Sequence, residues 1–328
     1  MLDCMNPRLD DNILYDDQPL RCLLAYLQQQ HYRFCAISPA SHAIVNARNP
    51  QAHTHKLTDI FGWNRPFQPE LMDASLFRLM QAAKIAVPVD HGYKSLLRVA
   101  SVNDQLFLHS AYPTIENSSV FFGPDSYRFA HAIQNFLAAN TQPIRRAIDI
   151  GTGSGLGAIL LANALPTCDI IASDINKEAL ALAHINSAAQ NIDTIHMMNS
   201  NLLNEIEGHF DLIIANPPYL NDTTARAYRH GGGRLGDALS LAIVDAAIAR
   251  LNHNGTLVLY TGVAIEHGHD AFLETVSHTL TAACYTYDYT EMDPDIFGEE
   301  LMTEAYRQAD RIAAVVLTAR KPASIRAT

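Results

Sequence analysis

Arg146-Ala147-Ile148-Asp149-Ile150-Gly151-Thr152-Gly153-Ser154-Gly155 decides the fold of this 328-residue chain. An apolar run of strand length breaks at a turn in which every second residue is glycine, and a helix is expected to begin near Gly155. Glycines in such a turn let the backbone pass close to a ligand with no Cβ in the way. Strand, glycine turn and helix form the opening unit of an open α/β sheet, and such sheets bind ligands at the carboxyl ends of their strands.

From Ser126 onward strand and helix patterns alternate, which predicts a parallel sheet with helices on both faces. Strands are expected at Arg146–Ile150, Asp169–Ser173, Thr194–Met198, Phe210–Ala215, Thr256–Tyr260, Cys284–Thr290 and Ile312–Thr318. Phe129, Ile133, Phe136 and Leu137 make one helix stripe, and Ala179, Leu180 and Ala183 another; Leu241, Val244, Ile248 and Leu251 precede the fifth strand. The last two strands lack a clear crossover helix between them. Seven strands ending in an irregular pair are expected.

Earlier in the chain, Leu20, Leu23, Leu24 and Leu27 follow Pro19 at helical spacing, and Leu76, Leu79, Met80 and Ala83 do the same after Asp73. Leu96 to Val102 and Gln105 to His109 alternate around Asn103-Asp104, the signature of a hairpin. Two domains are expected, since one hydrophobic core rarely grows past about 250 to 300 residues. They are a smaller, mainly helical N-terminal domain with its linking hairpin, residues 1–120, and an α/β domain, residues 121–328.

A 48% apolar and 17% charged composition is that of a globular protein. The uncharged stretch Ile150 to Cys168 holds four glycines and Pro166, so no membrane span is expected, and the aspartates before residue 18 interrupt any leader-like apolar run. Five cysteines without Cys-x-x-Cys spacing suggest neither a disulfide framework nor zinc, and point to a reduced, cytoplasmic setting. Net charge is −11, and basic residues form no stripe beyond short pairs such as Arg145-Arg146, which disfavours a nucleic-acid partner. His267-Gly268-His269-Asp270 and His53-Thr54-His55 have no third ligand in place, so no metal is expected.

Asp-x-Gly-x-Gly-x-Gly is not the dinucleotide spacing, and no lysine follows as a phosphate loop requires. Without a phosphate to cradle, the helix N-terminus suits an adenosyl amino acid. Asp149 is placed to accept from its α-ammonium group, and Asp174, about 20 residues beyond the turn, from its ribose hydroxyls. The alternative for Asp174 is a helix cap. Asn201 lies where an acceptor for the adenine amino group is expected, with Leu202 flanking the ring.

Phe210 to Ala215 ends on Asn216-Pro217-Pro218-Tyr219. That ending puts an amide side chain and the Pro217 carbonyl, both acceptors, at the same sheet edge. An amino or amide nitrogen donating both its hydrogens to them turns its lone pair toward whatever sits over the glycine turn. Prolines 217 and 218 fix φ and remove two donors, and Tyr219 is expected to stack on the planar group carrying the nitrogen. The loop from Leu220 to Gly236 reads either as a cover or as a long connection.

These residues, in this order, resemble the class I S-adenosylmethionine-dependent methyltransferases, with their Rossmann-like seven-stranded sheet whose last strand runs antiparallel, and within them the HemK-like enzymes that methylate a glutamine side-chain nitrogen in release factors. The resemblance covers roughly residues 120 to 320. It implies that Asn216 and the Pro217 carbonyl hold the target amide. The expected catalytic residues are Asn216, Pro217, Pro218 and Tyr219. Asp149, Gly151, Thr152, Gly153, Gly155, Asp174, Ile175, Asn201, Leu202 and Asn216 are expected around S-adenosylmethionine. Where the family has an Arg-Pro-x-Thr-Glu-like segment near the cofactor, this chain has Gly123-Pro124-Asp125-Ser126-Tyr127, and Asn201 stands where Asp is commoner. The acceptor expected is a protein glutamine or an amino-acid-like small molecule. A nucleic-acid adenine or guanine amino group is the alternative, and a nicotinamide oxidoreductase or a silent nucleotide-binding module fits the glycine spacing and the two prolines poorly.

Overall fold

The computed structural model describes residues 16–48, 56–90, 92–112, 114, 118–221 and 229–324. The chain divides into two compact units, Met1–Pro113 with His184–Asn191, and Thr114–Ala183 with Ile192–Thr328.

In the first unit, α1 (Asp17–Gln29) buries Leu20, Leu23, Leu24 and Leu27, the stripe read from their spacing. Each leucine so buried contributes on the order of 2 kcal/mol. Helix α2 spans Pro39–Ala47. Helix α3 (Ala74–Ala82) starts at Asp73, whose carboxylate accepts from Ser75 N at 2.7 Å and Leu76 N at 3.3 Å. A short hairpin that the sequence did not suggest pairs β1 (Ala86–Val89) with β2 (Gly92–Ser95). The expected hairpin is present as β3 (Leu97–Val102) and β4 (Gln105–Ser110), turning through Asn103 and Asp104 at φ 48° and 67°. Two positive φ values at the central residues match the right-handed twist of the strands.

The second unit is a seven-stranded sheet. Its strands are β5 (Arg146–Ile150), β6 (Asp169–Asp174), β7 (Ile195–Asn199), β8 (Phe210–Ala215), β9 (Leu251–Glu266), β10 (Thr286–Asp293) and β11 (Ala309–Arg320). They lie in the order β10-β11-β9-β8-β5-β6-β7, with only β11 antiparallel to its neighbours. Helices α4 (Pro124–Ala139), α5 (Leu156–Ala164), α6 (Lys177–Ala189), α7 (Ala238–Arg250) and α8 (Ala271–Ala282) complete the layers. One core gathers Ile148, Ile150, Phe210, Ile213, Leu257, Leu259, Val315 and Leu317 of the sheet with Ile243 and Val244 of α7 and Phe272 and Val276 of α8.

Three strands differ from expectation: β9 runs past Tyr260 to Glu266, β10 past Thr290 to Asp293, and β11 spans Ala309–Arg320 where Ile312–Thr318 is expected. Strand β9 starts at Leu251, five residues early, because Phe210 pairs with Leu251 and Leu212 with Thr256, so 252–255 bulge out of the ladder. Cys284, expected to begin β10, instead turns the chain at φ 62° after α8. No described helix is long and apolar enough to cross a membrane.

Candidate functional site

Strand register assembles the site. Ile150, the end of β5, pairs with Ser173 on one side and Ala215 on the other, and Asp174 pairs with Asn199. The glycine turn, Asp174, the turn at 200–202 and Asn216 therefore leave the sheet at one level along one edge. Strand β5 is also where the strand order reverses, the switch point at which open α/β sheets bind ligands.

Gly151, Gly153 and Gly155 all have positive φ, 71°, 55° and 83°. A Cβ on Gly151 or Gly153 would meet nothing within 4 Å, which leaves open space over the turn, whereas one on Gly155 would press Ala183 at 3.0 Å. Gly155 is thus needed for helix packing and for its left-handed backbone at the N-cap of α5.

Asp149 is 1% exposed. Its Oδ2 accepts from Thr152 Oγ1 at 2.7 Å and Ala158 N at 3.0 Å, while its buried Oδ1 has no hydrogen-bond partner among the described residues. Burial pushes the carboxyl up to about 6, against those two hydrogen bonds, and the neighbouring Asp174 charge adds to the rise. A buried carboxylate oxygen lacking a donor is costly unless something supplies one, so the site fits a ligand that brings a cation. Thr152, expected at the ligand, instead turns its hydroxyl inward to Asp149 and is itself buried.

Asp174 accepts from Gly153 N at 3.0 Å through Oδ2 and from Asn176 N at 2.9 Å through Oδ1, and burial raises its pKa. Asn176, not Asp174, caps α6, accepting from Glu178 N at 3.0 Å. Beside it Ile175 is 60% exposed, an apolar face at the sheet edge. Asn199, which the sequence reading passed over, donates to the carbonyls of Asp174 and Ile175 at 2.9 and 3.0 Å and fixes that corner. An amide at a strand end is its only sequence signal. Asn201 is exposed, its N–H held by Glu205 Oε2 at 2.9 Å, and Leu202 sits at φ 54° packed on the sheet core.

On the acceptor side, neither the half-buried Asn216 side chain nor the Pro217 carbonyl takes part in a hydrogen bond among the described residues. Tyr219 differs from the expectation of stacking on a substrate. It is 7% exposed, its ring edge-on to Tyr260 and Phe297 with centroids at 6.4 and 6.2 Å, and a Cβ on Gly262 would strike it at 2.3 Å. Burial, with Asp125 and Tyr260 beside it, raises its pKa well above the ordinary tyrosine value. The aromatic therefore anchors Pro217 and Pro218 to the sheet.

Gly123-Pro124-Asp125-Ser126-Tyr127 forms the start of α4, with Pro124 in its first turn. Asp125 is buried, accepts from Tyr260 Oη at 2.6 Å and pairs with Arg128 at 3.2 Å, and Arg128 reaches Asp293 at 2.6 Å. Burial nonetheless raises the Asp125 pKa. Tyr127 packs on Phe122, centroids 5.7 Å apart. Beyond Pro218, Leu220 and His230 form a parallel bridge: Leu220 N donates to Arg229 O at 3.1 Å and Gly231 N to Leu220 O at 2.9 Å. A Cβ on Gly231 would lie 2.7 Å from Pro218 O, and one on Gly236 2.1 Å from Tyr219 O, which accounts for glycine at both.

Among the described residues no group of three His, Cys, Asp or Glu could hold a metal. Asp270 caps α8 through Leu273 N at 2.9 Å and accepts from Tyr289 Oη, while His53 and His55 lie outside the described residues.

Residues 131–290 match the family described as methyltransferase small domain. The chain is 32% identical over 181 residues to a release factor glutamine methyltransferase of Lactococcus lactis, covering 52% of this chain and 64% of that protein. It is 36% identical over 141 residues to a ribosomal protein uL3 glutamine methyltransferase of Bordetella pertussis, covering 39% and 47%. Against a release factor glutamine methyltransferase of Deinococcus radiodurans the identity is 34% over 166 residues, covering 49% and 58%. The chain thus spans about half to two thirds of the length of these curated relatives.

Strand order, the antiparallel last strand and a site at the switch point make a Rossmann-like sheet of seven strands, and the match within it is to a methyltransferase domain. Its resemblance in sequence is to the HemK-like glutamine methyltransferases. The open cradle above Gly151 and Gly153, and Asp149 Oδ1 with no donor among the described residues, fit S-adenosylmethionine, the methyl donor that the resemblance implies.

Proposed function

We propose that the chain transfers the methyl group of S-adenosylmethionine to the side-chain amide nitrogen of a glutamine in a protein acceptor. The observation that carries this reading is the pair of acceptors, Asn216 Oδ1 and the Pro217 carbonyl, unengaged among the described residues and held at the level of the glycine turn by the register of β5 and β8. An amide NH2 donates one hydrogen to each, and its nitrogen then faces the cofactor pocket. When bound, the cofactor supplies a methyl group already activated on a sulfonium, so the protein's task is orientation. As the amide nitrogen loses conjugation it gains positive charge, and the two acceptors bind it more tightly than the planar ground state. Asp149 anchors the α-ammonium end, Gly151 and Gly153 admit the backbone close to it, and Asp174, Ile175, Asn201 and Leu202 lie toward the adenosine. The relatives act on a release factor or on ribosomal protein uL3, and a net charge of −11 favours such a partner over naked nucleic acid.

The test is transfer of labelled methyl from S-adenosylmethionine to purified release factor and to ribosomal protein uL3, with fragmentation of the product to find the modified residue. A methylated glutamine upholds the reading. Label found only on free amino acids or on nucleic acid controls overturns it.

A further inference from the structure

Residues 294–308, between β10 and β11, have no counterpart in the repeating strand and helix pattern, and they reach the acceptor loop at three places. Ile296 is buried and its N–H donates to Ile312 O at 2.8 Å, which ties the segment to β11. Phe297 then turns at φ 52°, a backbone that a bulky aromatic adopts only where its surroundings hold it there. Its ring meets Tyr219 edge-on. Glu300, in the following short turn, pairs with Arg229. Tyr306 is 1% exposed, and its hydroxyl accepts from Asn221 N at 2.7 Å and donates to Leu235 O at 3.1 Å. One hydroxyl thus joins two segments that follow Asn216, one ending at Asn221 and one holding Leu235.

We propose that this connection is the positioning element of the acceptor loop, with the Tyr306 hydroxyl as its pin, so that engagement of the methyl acceptor depends on it and cofactor binding does not. The proposal rests on the reading of Asn216 and Pro217 as the acceptor site. A tyrosine that merely filled the core would place its ring the same way but would not need both bonds. The hydroxyl is the distinguishing group, because it bridges two backbone positions 14 residues apart, Asn221 and Leu235. Asp293 adds a further tie at the start of the connection, through Arg128.

Tyr306→Phe keeps the ring and removes only the two bonds. The full chain and the variant are compared in methyl transfer to purified release factor, in calorimetric titration with S-adenosylmethionine, and in amide exchange at Asn221 and Gly231. The expected result is an acceptor KM raised about fivefold, the scale of one lost hydrogen bond, with cofactor affinity unchanged. Exchange should quicken at Asn221 and also at Gly231, whose own bond is to Leu220 O and not to Tyr306. An unchanged acceptor KM, or cofactor affinity that weakens as much as acceptor binding, overturns the proposal. Absence of transfer by the unaltered chain counts against the glutamine reading instead. In that event unaltered exchange at Gly231 overturns the pin, and faster exchange there upholds it.

Discussion

Lowering the pH from 7.5 to 5 is expected to weaken S-adenosylmethionine binding, through Asp149. This carboxyl is buried with Oδ1 unpartnered, and its pKa is raised from 3.8 to about 6 in the free protein. A folded-state pKa above the unfolded value makes the bound proton stabilising. That contribution is fully present below about pH 4 and is lost as pH rises through about 6, for a cost of ~3 kcal/mol once the group is ionised. An α-ammonium group set against Oδ1 reverses the balance, since it binds the carboxylate and not the acid. Below the free-state pKa, each unit of pH then costs about tenfold in affinity, so binding at pH 5 is about tenfold weaker than the plateau. The ligand's own α-amino group loses its proton near 8, which closes the window from above. Calorimetric titrations at half-unit steps from pH 5 to 7.5, run in two buffers of different ionisation enthalpy, read both the affinity and the proton released. Asp149→Asn should bind more weakly at pH 7.5 and show a flat profile. An unaltered chain that binds equally across the range, or an Asn variant that keeps the same fall, would refute the assignment.

Asn216→Ala should leave cofactor affinity within twofold and cut turnover about 100-fold or more, the scale of one lost transition-state hydrogen bond; Asp174→Ala, which frees Gly153 N, should weaken cofactor binding first, and titration alongside single-turnover rates separates the two. Gly231→Ala puts a Cβ 1.8 Å from Gly236 O and 2.7 Å from Pro218 O. It should cost about 1–3 kcal/mol in urea unfolding and remove methyl transfer while cofactor binding persists. Tyr260→Phe takes a donor from buried Asp125, at a cost of about 1–3 kcal/mol. Added to Asp125→Asn it should cost less than the sum of the two, because one bond is lost only once.

The sheet was legible because parallel strands buried on both faces read as apolar runs, as Phe210–Ala215 and Arg146–Ile150 do, and because glycines and prolines punctuate their ends. Strand β9 was misjudged at its start because Asn252-His253-Asn254-Gly255 looks like a turn, and it is one, inserted into the ladder rather than preceding it. Strands β1 and β2 escaped notice because Pro88 and the four-residue lengths offer no period to read. The cofactor edge was readable from local spacing, whereas the duties of its side chains were not. Thr152 and Tyr219 sit in the motifs that flagged them yet face inward, and only the third dimension tells a lining residue from a supporting one. Asp125 meets Tyr260 from 135 residues away, and Tyr306 meets Asn221 from 85, so no window of sequence brings either pair together.

Gly262 lies in the middle of β9, under the ring of Tyr219, with room for hydrogen and nothing larger. The two positions are expected to vary together. A methyl group at 262 is admissible only if the ring at 219 shrinks or tilts, and a tilt would carry Pro217 and Pro218 with it. Relatives that keep the Asn-Pro-Pro-Tyr ending should therefore keep glycine at the matching strand position. Those that lose one should be found to have exchanged the other, a paired drift that an alignment of the family can reveal without any enzyme being made.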